Sequence, residues 1–464
     1  MTTQPFARPV AVLIALACCS GSALAATQPA PAEVAPATTA SGTSSASADD
    51  LRPILQTIAA RAPDVLAAQA ARAQADAQVQ QTRAAWFGKV DTYATSQHFN
   101  DPRLTRPITQ PPIIALYPFA SDQFGYGLDF QLPIDVSGQI AAEVDAAKSR
   151  ARGAQWSAED VRLRVLLQGA SLYRTLQALA GQRSALARQL DALQASRRVA
   201  ETGLKVGSIA RVNLLRVEAA VADVQASLAN VEGQEQKLRA QLAALMGVEA
   251  FAAPIAPPDA GPAALPANPD APPPSIQAAQ SALQASQAKV QSAQRVQYPQ
   301  LVANGGWNRN AIQWDSRAID TWQVNLGVRL NLWAGGGQKS ALDAAQAAEE
   351  EARQRLRGAH DNLRAAREGA VAQWHAQDQA RRAAESGLLA AAESAHIEHN
   401  RFANGLGSAT ELIDAEAALA RARASLAGAI ASWWQADDAL RYAYGEPPAA
   451  LQEPNPNPAP SQQP

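Results

Sequence analysis

From about residue 132 onward the chain repeats itself at one offset, residue n answering residue n+198. Leu132-Pro133-Ile134-Asp135-Val136-Ser137-Gly138 answers Leu330-Asn331-Leu332-Trp333-Ala334-Gly335-Gly336. Leu214-Leu215-Arg216-Val217-Glu218-Ala219 answers Leu412-Ile413-Asp414-Ala415-Glu416-Ala417, while Gly207 answers Gly405 and Gly247 answers Gly445. An offset that survives this far without insertion implies two copies of one structural unit with equal internal lengths. Lengths held this tightly suggest that the chain measures a distance.

The intervals say which distance. Gly138–Gly207 and Gly336–Gly405 are each 69 residues long and contain no proline. At 1.5 Å per residue each is a helix of about 100 Å. The returning intervals, Gly207–Gly247 and Gly405–Gly445, are 40 residues each, or about 60 Å. A short helix precedes each pair of strands, Asp64–Ala85 in the first copy and Ser275–Val296 in the second, and adds roughly 33 Å. Short and returning helices stacked end to end therefore nearly match the long one and give a rod of even thickness. Aromatics are only 5% of the chain and alanine is abundant, a composition suited to close helix–helix approach and coiled coil.

Between short and long helix each copy carries two strands: Trp86–Phe99 and Phe124–Leu132, then Tyr298–Trp307 and Thr321–Leu330. In the last, Trp322, Val324, Leu326, Val328 and Leu330 alternate with Gln323, Asn325, Gly327 and Arg329. Tyr126, Leu128, Phe130 and Leu132 alternate likewise with Gly127, Asp129 and Gln131. An apolar and a polar face over about nine residues is the pattern of a membrane-spanning strand with lipid outside and water inside. No later run is long and apolar enough for a transmembrane helix, so entry into a membrane requires a β-barrel. Four strands cannot close one, because small barrels need about eight. Three copies would supply twelve strands and leave a lumen, so the pattern predicts a homotrimer. Trp86, Trp307, Trp314, Trp322 and Trp333 stand where interfacial aromatics belong, whereas Trp433 and Trp434 read as helix packing.

The remaining segments are connectors. Residues 1–25 read as a signal peptide, with Arg8, an apolar stretch from Val10 to Ala17 and a cleavage site at Ala23-Leu24-Ala25. Lipidation at Cys18 or Cys19 is the alternative. An Ala/Pro-rich tail (26–50) leads into the first unit (51–251). A Pro-rich linker (252–274) separates it from the second (275–445), and 446–464 form a Pro/Asn/Gln-rich, disordered tail. The net charge of −2 offers nucleic acid no electrostatic footprint. No nucleophile, acid–base pair, phosphate loop or nucleotide fingerprint marks an enzyme or a cofactor site. Glu393, His396 and His399 share helical spacing without a fourth ligand and read as surface residues rather than a metal centre.

These features in this order resemble the TolC family of outer-membrane efflux and secretion ducts. The resemblance runs from about Leu51 to Gly445. It rests on the two strand-to-helix junctions at Pro133–Gly138 and Asn331–Gly336, the turn segments after Gly207 and Gly405, and Tyr298-Pro299. It implies an α+β membrane protein in which a coiled-coil helical barrel continues a trimeric twelve-stranded β-barrel. It further implies the outer membrane as location, with outer-membrane lipids around the barrel, and a periplasmic adaptor and an inner-membrane pump of RND or ABC type as partners. Glu411 and Asp414, three apart on one helix face, match the family's acidic pair at the periplasmic entrance, where threefold symmetry makes rings of carboxylates. Their offset partners are Asn213 and Arg216. The basic residue that some members place after the second tip glycine is Gly407 here, which leaves Arg211, Arg216 or Asn213 as gate partners. Gly203, Gly207, Gly405 and Gly407 are expected at tip turns with positive φ. Asn331 departs from the family's proline, and the outer loop of the first copy, with Pro102, Pro107, Pro111, Pro112 and Pro118, is longer than its counterpart and suited to capping the outer mouth. The other functional classes are a coiled-coil stalk anchored in the outer membrane, a surface adhesin, or an adaptor, all without channel activity.

Overall fold

The computed structural model describes residues 51–104, 119–206, 210–260, 271–312, 319–404 and 406–451. The signal peptide, the Ala/Pro-rich tail, the middle of the outer loop, Trp314, Gly207, Gly405 and residues 452–464 lie outside the described residues. The elements are α1 (Leu51–Arg61), α2 (Pro63–Ala84), β1 (Lys89–Leu104), β2 (Phe119–Ile134), α3 (Gln139–Lys205) and α4 (Arg211–Met246). They continue as α5 (Pro274–Arg295), β3 (Gln300–Ile312), β4 (Ile319–Arg329), α6 (Gly337–Ala403) and α7 (Ala409–Ala443).

Both long helices have 67 residues, about 100 Å of unbroken rise. α3 is the central rod. It packs against α1, α2 and α4 and also against α5 and α7, while α6 lies on α5 and α7. Its neighbours on several sides explain why α3 buries residues along its whole length, from Ala142 to Gly203. α6 differs. Its half-buried positions, Leu342, Ala345, Glu349, Ala352, Leu356, Ala359 and Leu363, alternate three and four apart. That is the seam of a left-handed coiled coil. The rest of α6 faces outward, and only Ala395 and Phe402 are fully buried.

The densest core sits midway along the rod. Leu51, Leu55, Ile58 and Val65 of α1–α2 pack on Val165, Leu166, Tyr173 and Leu176 of α3 and on Leu242 and Met246 of α4. The apolar residues at 51, 54, 55 and 58 have helical spacing, so α1 was legible before Pro63 although the sequence reading begins its first helix after it. The linker is pinned here too. Ile255 is buried in this core, Arg239 donates to the Ala253 carbonyl at 2.6 Å and the Trp434 indole donates to the Asp259 carbonyl. Residues 446–451 also pack rather than forming a disordered tail, with a 3-10 turn at Ala449–Leu451 whose last two residues sit against the same core.

The four strands form one antiparallel meander in the order β1-β2-β3-β4. They are longer or shifted relative to the alternating stretches. β1 starts at Lys89 because 85–87 turn as 3-10, and it pairs with β2 beyond an irregularity between His98 and Arg103. β2 runs through Pro133, which faces Val302 in the register.

In this midway core, the belt of the rod, Ile58 is fully buried, so Ile58→Ala should cost about 2–5 kcal/mol. Denaturant unfolding in detergent measures it, and a loss below about 1 kcal/mol would show that the belt core is not a main source of stability.

Candidate functional site

The sheet sorts its side chains by face from the row of Thr92 toward the helices, whereas the next row of the same face, Ala94, Tyr126, Arg309 and Asp320, carries an ion pair. In the register, Val90, Phe130, Gly305 and Val324 form one row, and Thr92, Leu128, Trp307 and Trp322 the next. Leu132, Ala303 and Leu326 continue that face, as do Ile134, Leu301 and Val328. The intervening rows are polar: Lys89, Gln131, Asn304 and Asn325, then Asp91, Asp129, Gly306 and Gln323. The apolar face is unpacked within the chain, with Val324 64% and Trp322 77% exposed. A contiguous apolar patch of this kind faces a partner or lipid. On the polar face Tyr93 lies over Gly127, where a Cβ would meet the ring at about 3 Å. The glycine lets the ring lie along the wall instead of projecting from it.

Below the strands the two junctions are built differently. At β2–α3 the Asp135 carboxylate accepts from Ala141 N–H at 2.8 Å and the Ser137 hydroxyl from Gln139 N–H at 3.3 Å. Both satisfy donors that a helix start leaves open. Gly138 takes φ 71°, and its carbonyl accepts from Arg295 Nη1 at 2.6 Å. Arg295 at the end of α5 thereby ties the second half to the start of α3. At β4–α6 the residues answering Asp135 and Ser137 are Trp333 and Gly335, and no side chain caps the helix. Gly335 and Gly336 both have positive φ. Asn331 lies past the end of β4 rather than within it. Leu332 and Trp333 are 87% and 84% exposed, and together with Trp86, Phe87, Val136 and Tyr298 they make an apolar, aromatic-rich rim where strands give way to helices.

At the far end, the two helical hairpins pack on each other through Ala200, Val217, Phe402, Ala409 and Leu412. Arg216 Nη1 donates to Thr410 Oγ1 at 3.0 Å across them. Arg211 and Asn213 lie in the first turn of α4. Among the described residues no ion pair joins either arginine to Glu411 or Asp414. The tips leave Val206, Val212, Leu215 and Leu406 exposed. Gly203 is not a turn residue: it is buried in the last turn of α3. Gly407 lies in the second tip but without positive φ.

Glu411 and Asp414 are both exposed on the first turns of α7. Glu411 has a local role that sequence analysis passed over, although Ser408-x-x-Glu411 is the spacing of a capping box. Ser408 Oγ accepts from Glu411 N–H at 3.2 Å, and Glu411 accepts from Ser408 N–H at 3.0 Å. The Ser408 backbone N–H, with Arg401 nearby, holds the Glu411 carboxyl below its ordinary 4.5. Within one chain the cap thus opposes the upward shift that crowded carboxylates would impose. His396, weighed above as a metal ligand, instead meets Asn400 at 3.1 Å.

Removing the cap hydroxyl by Ser408→Ala should destabilise the tip by about 0.5–2 kcal/mol. Because the Glu411 pKa is depressed on folding, the cap's contribution is present above its ordinary 4.5 and disappears as pH falls through the lower folded value. Amide exchange of residues 408–412 at pH 7 and below pH 4 would show faster opening in acid. Equal opening at both would mean the carboxylate contributes nothing to the cap.

Known proteins match this arrangement. The sequence profile of the outer membrane efflux proteins matches residues 54–248 and 271–446. Among curated proteins no sequence matches. Solved structures share the fold: the outer membrane protein VceC of Vibrio cholerae has 21% identity over 86% of this chain and 96% of its own, with a TM-score of 0.71. The Campylobacter jejuni CmeC outer membrane channel has 15% identity over 86% of both chains and a TM-score of 0.73. The Neisseria gonorrhoeae MtrE channel in its open state has 18% identity over 87% and 90%, with a TM-score of 0.69. CmeC and MtrE are outer membrane channels. With a profile that spans most of its length, the chain belongs to the outer membrane efflux protein family, the TolC-like channels of the outer membrane.

Proposed function

We propose that three copies of this chain close a twelve-stranded barrel and a helical tunnel that together form the exit duct of a tripartite efflux or type I secretion system. The observation that carries this reading is the sheet. It has one apolar face, one polar face and two open edges, β1 and β4, which run in opposite directions. An exposed strand edge cannot stand in hydrocarbon, where each unpaired backbone group costs several kcal/mol. Opposite directions let β4 of one copy pair antiparallel with β1 of the next, and a head-to-tail contact of this sort closes into a ring. The outward flank of α6 and the free sides of α2 and α4 then meet between copies along the same seam.

In this reading the polar rows line the water-filled barrel and the rim around Trp333 and Phe87 marks the periplasmic edge of the membrane. The 67-residue helices reach into the periplasm. The exposed apolar tip residues, Val206 and Leu406 among them, receive a periplasmic adaptor, and an inner-membrane pump of RND or ABC type completes the path. The two units keep their matched lengths because both must end at the same entrance. A stalk without channel activity has no use for a sheet whose polar face would then be enclosed to no purpose.

Glu411 and Asp414, brought together by threefold symmetry, form the charged entrance, with Arg216 tied to Thr410 and Arg211 beside it as the gate's basic partners. In planar bilayers the double variant Glu411→Gln/Asp414→Asn should lose cation selectivity and block by multivalent cations. A glutamine side chain still accepts from the Ser408 N–H, so the tip should stay folded. Unchanged selectivity and block would place the constriction elsewhere.

A further inference from the structure

Charge is buried at the belt where α7 ends. Arg174 of α3 and Asp437, Asp438 and Arg441 of α7 are all enclosed, Asp438 to 1% exposure and Arg441 to 2%. Their offset partners are Ala372, Arg239, Ala240 and Ala243, so the first half has no such cluster. Arg441 is well paired: its Nε donates to Asp437 at 2.8 Å and its Nη1 lies 3.7 Å from Glu446. Trp374 of α6 also sits beside Asp437. Arg174 donates to Gln177 at 3.0 Å and lies over the Trp434 ring.

Asp438 is held less well. Its Oδ2 is 4.0 Å from Arg174 Nε, too far for a hydrogen bond, and has no hydrogen-bond partner among the described residues. Its Oδ1 accepts from the backbone N–H of Ala449 at 3.2 Å. That amide belongs to the short segment that leaves α7 at Gly445 and crosses to the first half. There the Ala450 carbonyl accepts from Arg52 of α1 at 3.1 Å, and Ala450 and Leu451 rest on the core built by Leu51, Leu55 and Ile58. Through Asp438, α7 thus grips the backbone of a segment that fastens the last helix to the first.

We propose that residues 446–451 are a clasp between the two ends of the chain, tightened by acid, with Asp438 as its titrating pin. Lifting Ala449 from Asp438 admits water to the carboxylate, and water stabilises its charged form. The ionised group therefore favours the open clasp and the protonated group the closed one. The surrounding charges act as follows. Arg174, beside Tyr173 on α3, the Ala449 N–H of the clasp itself and Arg441 on α7 favour the ionised form, while Asp437 next in sequence opposes it, so the direction of the switch is set by the water that burial excludes. Arg52 and Glu446 bear on the clasp rather than on the pin. Burial outweighs these charges and pushes Asp438 from 3.8 up to about 6, and burial raises Asp437 in the same direction. Because the closed state binds the proton more tightly, closure strengthens as pH falls through about 6 and gains nothing further below the ordinary 3.8. Between pH 7.5 and pH 5 the closed fraction relative to open should rise about tenfold.

Hydrogen exchange of the full chain in detergent, corrected for the intrinsic pH dependence of amide exchange, tests this on peptides spanning 446–451. Protection should be about tenfold greater at pH 5 than at pH 7.5. Peptides over Val248–Phe251, in the belt but away from Asp438, should show no such change. Asp438→Asn, a neutral side chain that still accepts from Ala449, should be as protected at pH 7.5 as the wild type is at pH 5. Wild-type protection that is equal at the two pH values, or weaker in acid, would overturn the proposal, as would a variant that keeps the wild-type pH response. If the variant does not assemble, the wild-type comparison alone decides.

Discussion

A strand edge in hydrocarbon has nowhere to send its hydrogen bonds, and the rest of this molecule follows from that restriction. One chain makes a four-stranded meander whose register sorts apolar from polar rows over the half nearer the helices. The sheet is finished on its faces and unfinished at its sides. In the reading proposed here, neighbouring copies supply the missing bonds, and the polar rows then enclose water. In the same reading the long helices continue the ring, because each is covalently continuous with a strand across a tightly specified junction. At Asp135–Gly138 that junction is capped and clamped by Arg295. At Trp333–Gly336 two positive-φ glycines make the turn without a cap.

The helical part shows the same division between what a chain satisfies alone and what it leaves open. α3 is enclosed by neighbours from both halves, and the belt core locks α1, α3 and α4 together. α6 buries one heptad seam and presents its remaining surface outward. Small alanine-rich faces of this kind allow close approach of a neighbouring helix without large apolar side chains in water. The stability of the isolated chain and its proposed assembly can therefore be addressed by separate residues: Ile58 for the first, and the open flank of α6 for the second.

Much of this was legible in the sequence because it depends on period and length. The glycine-to-glycine intervals marked two helices that the structure shows at 67 residues each. The alternation around Trp322–Leu330 marked the apolar face correctly. Strand ends were harder, since β1 and β2 keep pairing past the alternating stretch, through an irregularity that no residue pattern signals. Glycine permits a turn at Gly203, yet the residue is buried within the last turn of α3. The Ser408-x-x-Glu411 spacing is itself the signal of the capping box that starts α7. The belt cluster could not be read at all. Asp437 and Arg441 show helical spacing, but nothing local says that their side chains are enclosed, because burial there is imposed by α3 and by the segment after α7. The proposed acidic entrance depends on symmetry between copies, and a single chain shows Glu411 and Asp414 only as exposed residues on the first turns of α7.

The most direct test of the account is the number of copies in the conducting particle. Native mass measurement of the purified protein in detergent, on the same sample that conducts in planar bilayers, should give three copies and no conducting smaller species. A monomer that is stable and still conducts would contradict the claim that the sheet's open edges are closed by neighbouring chains.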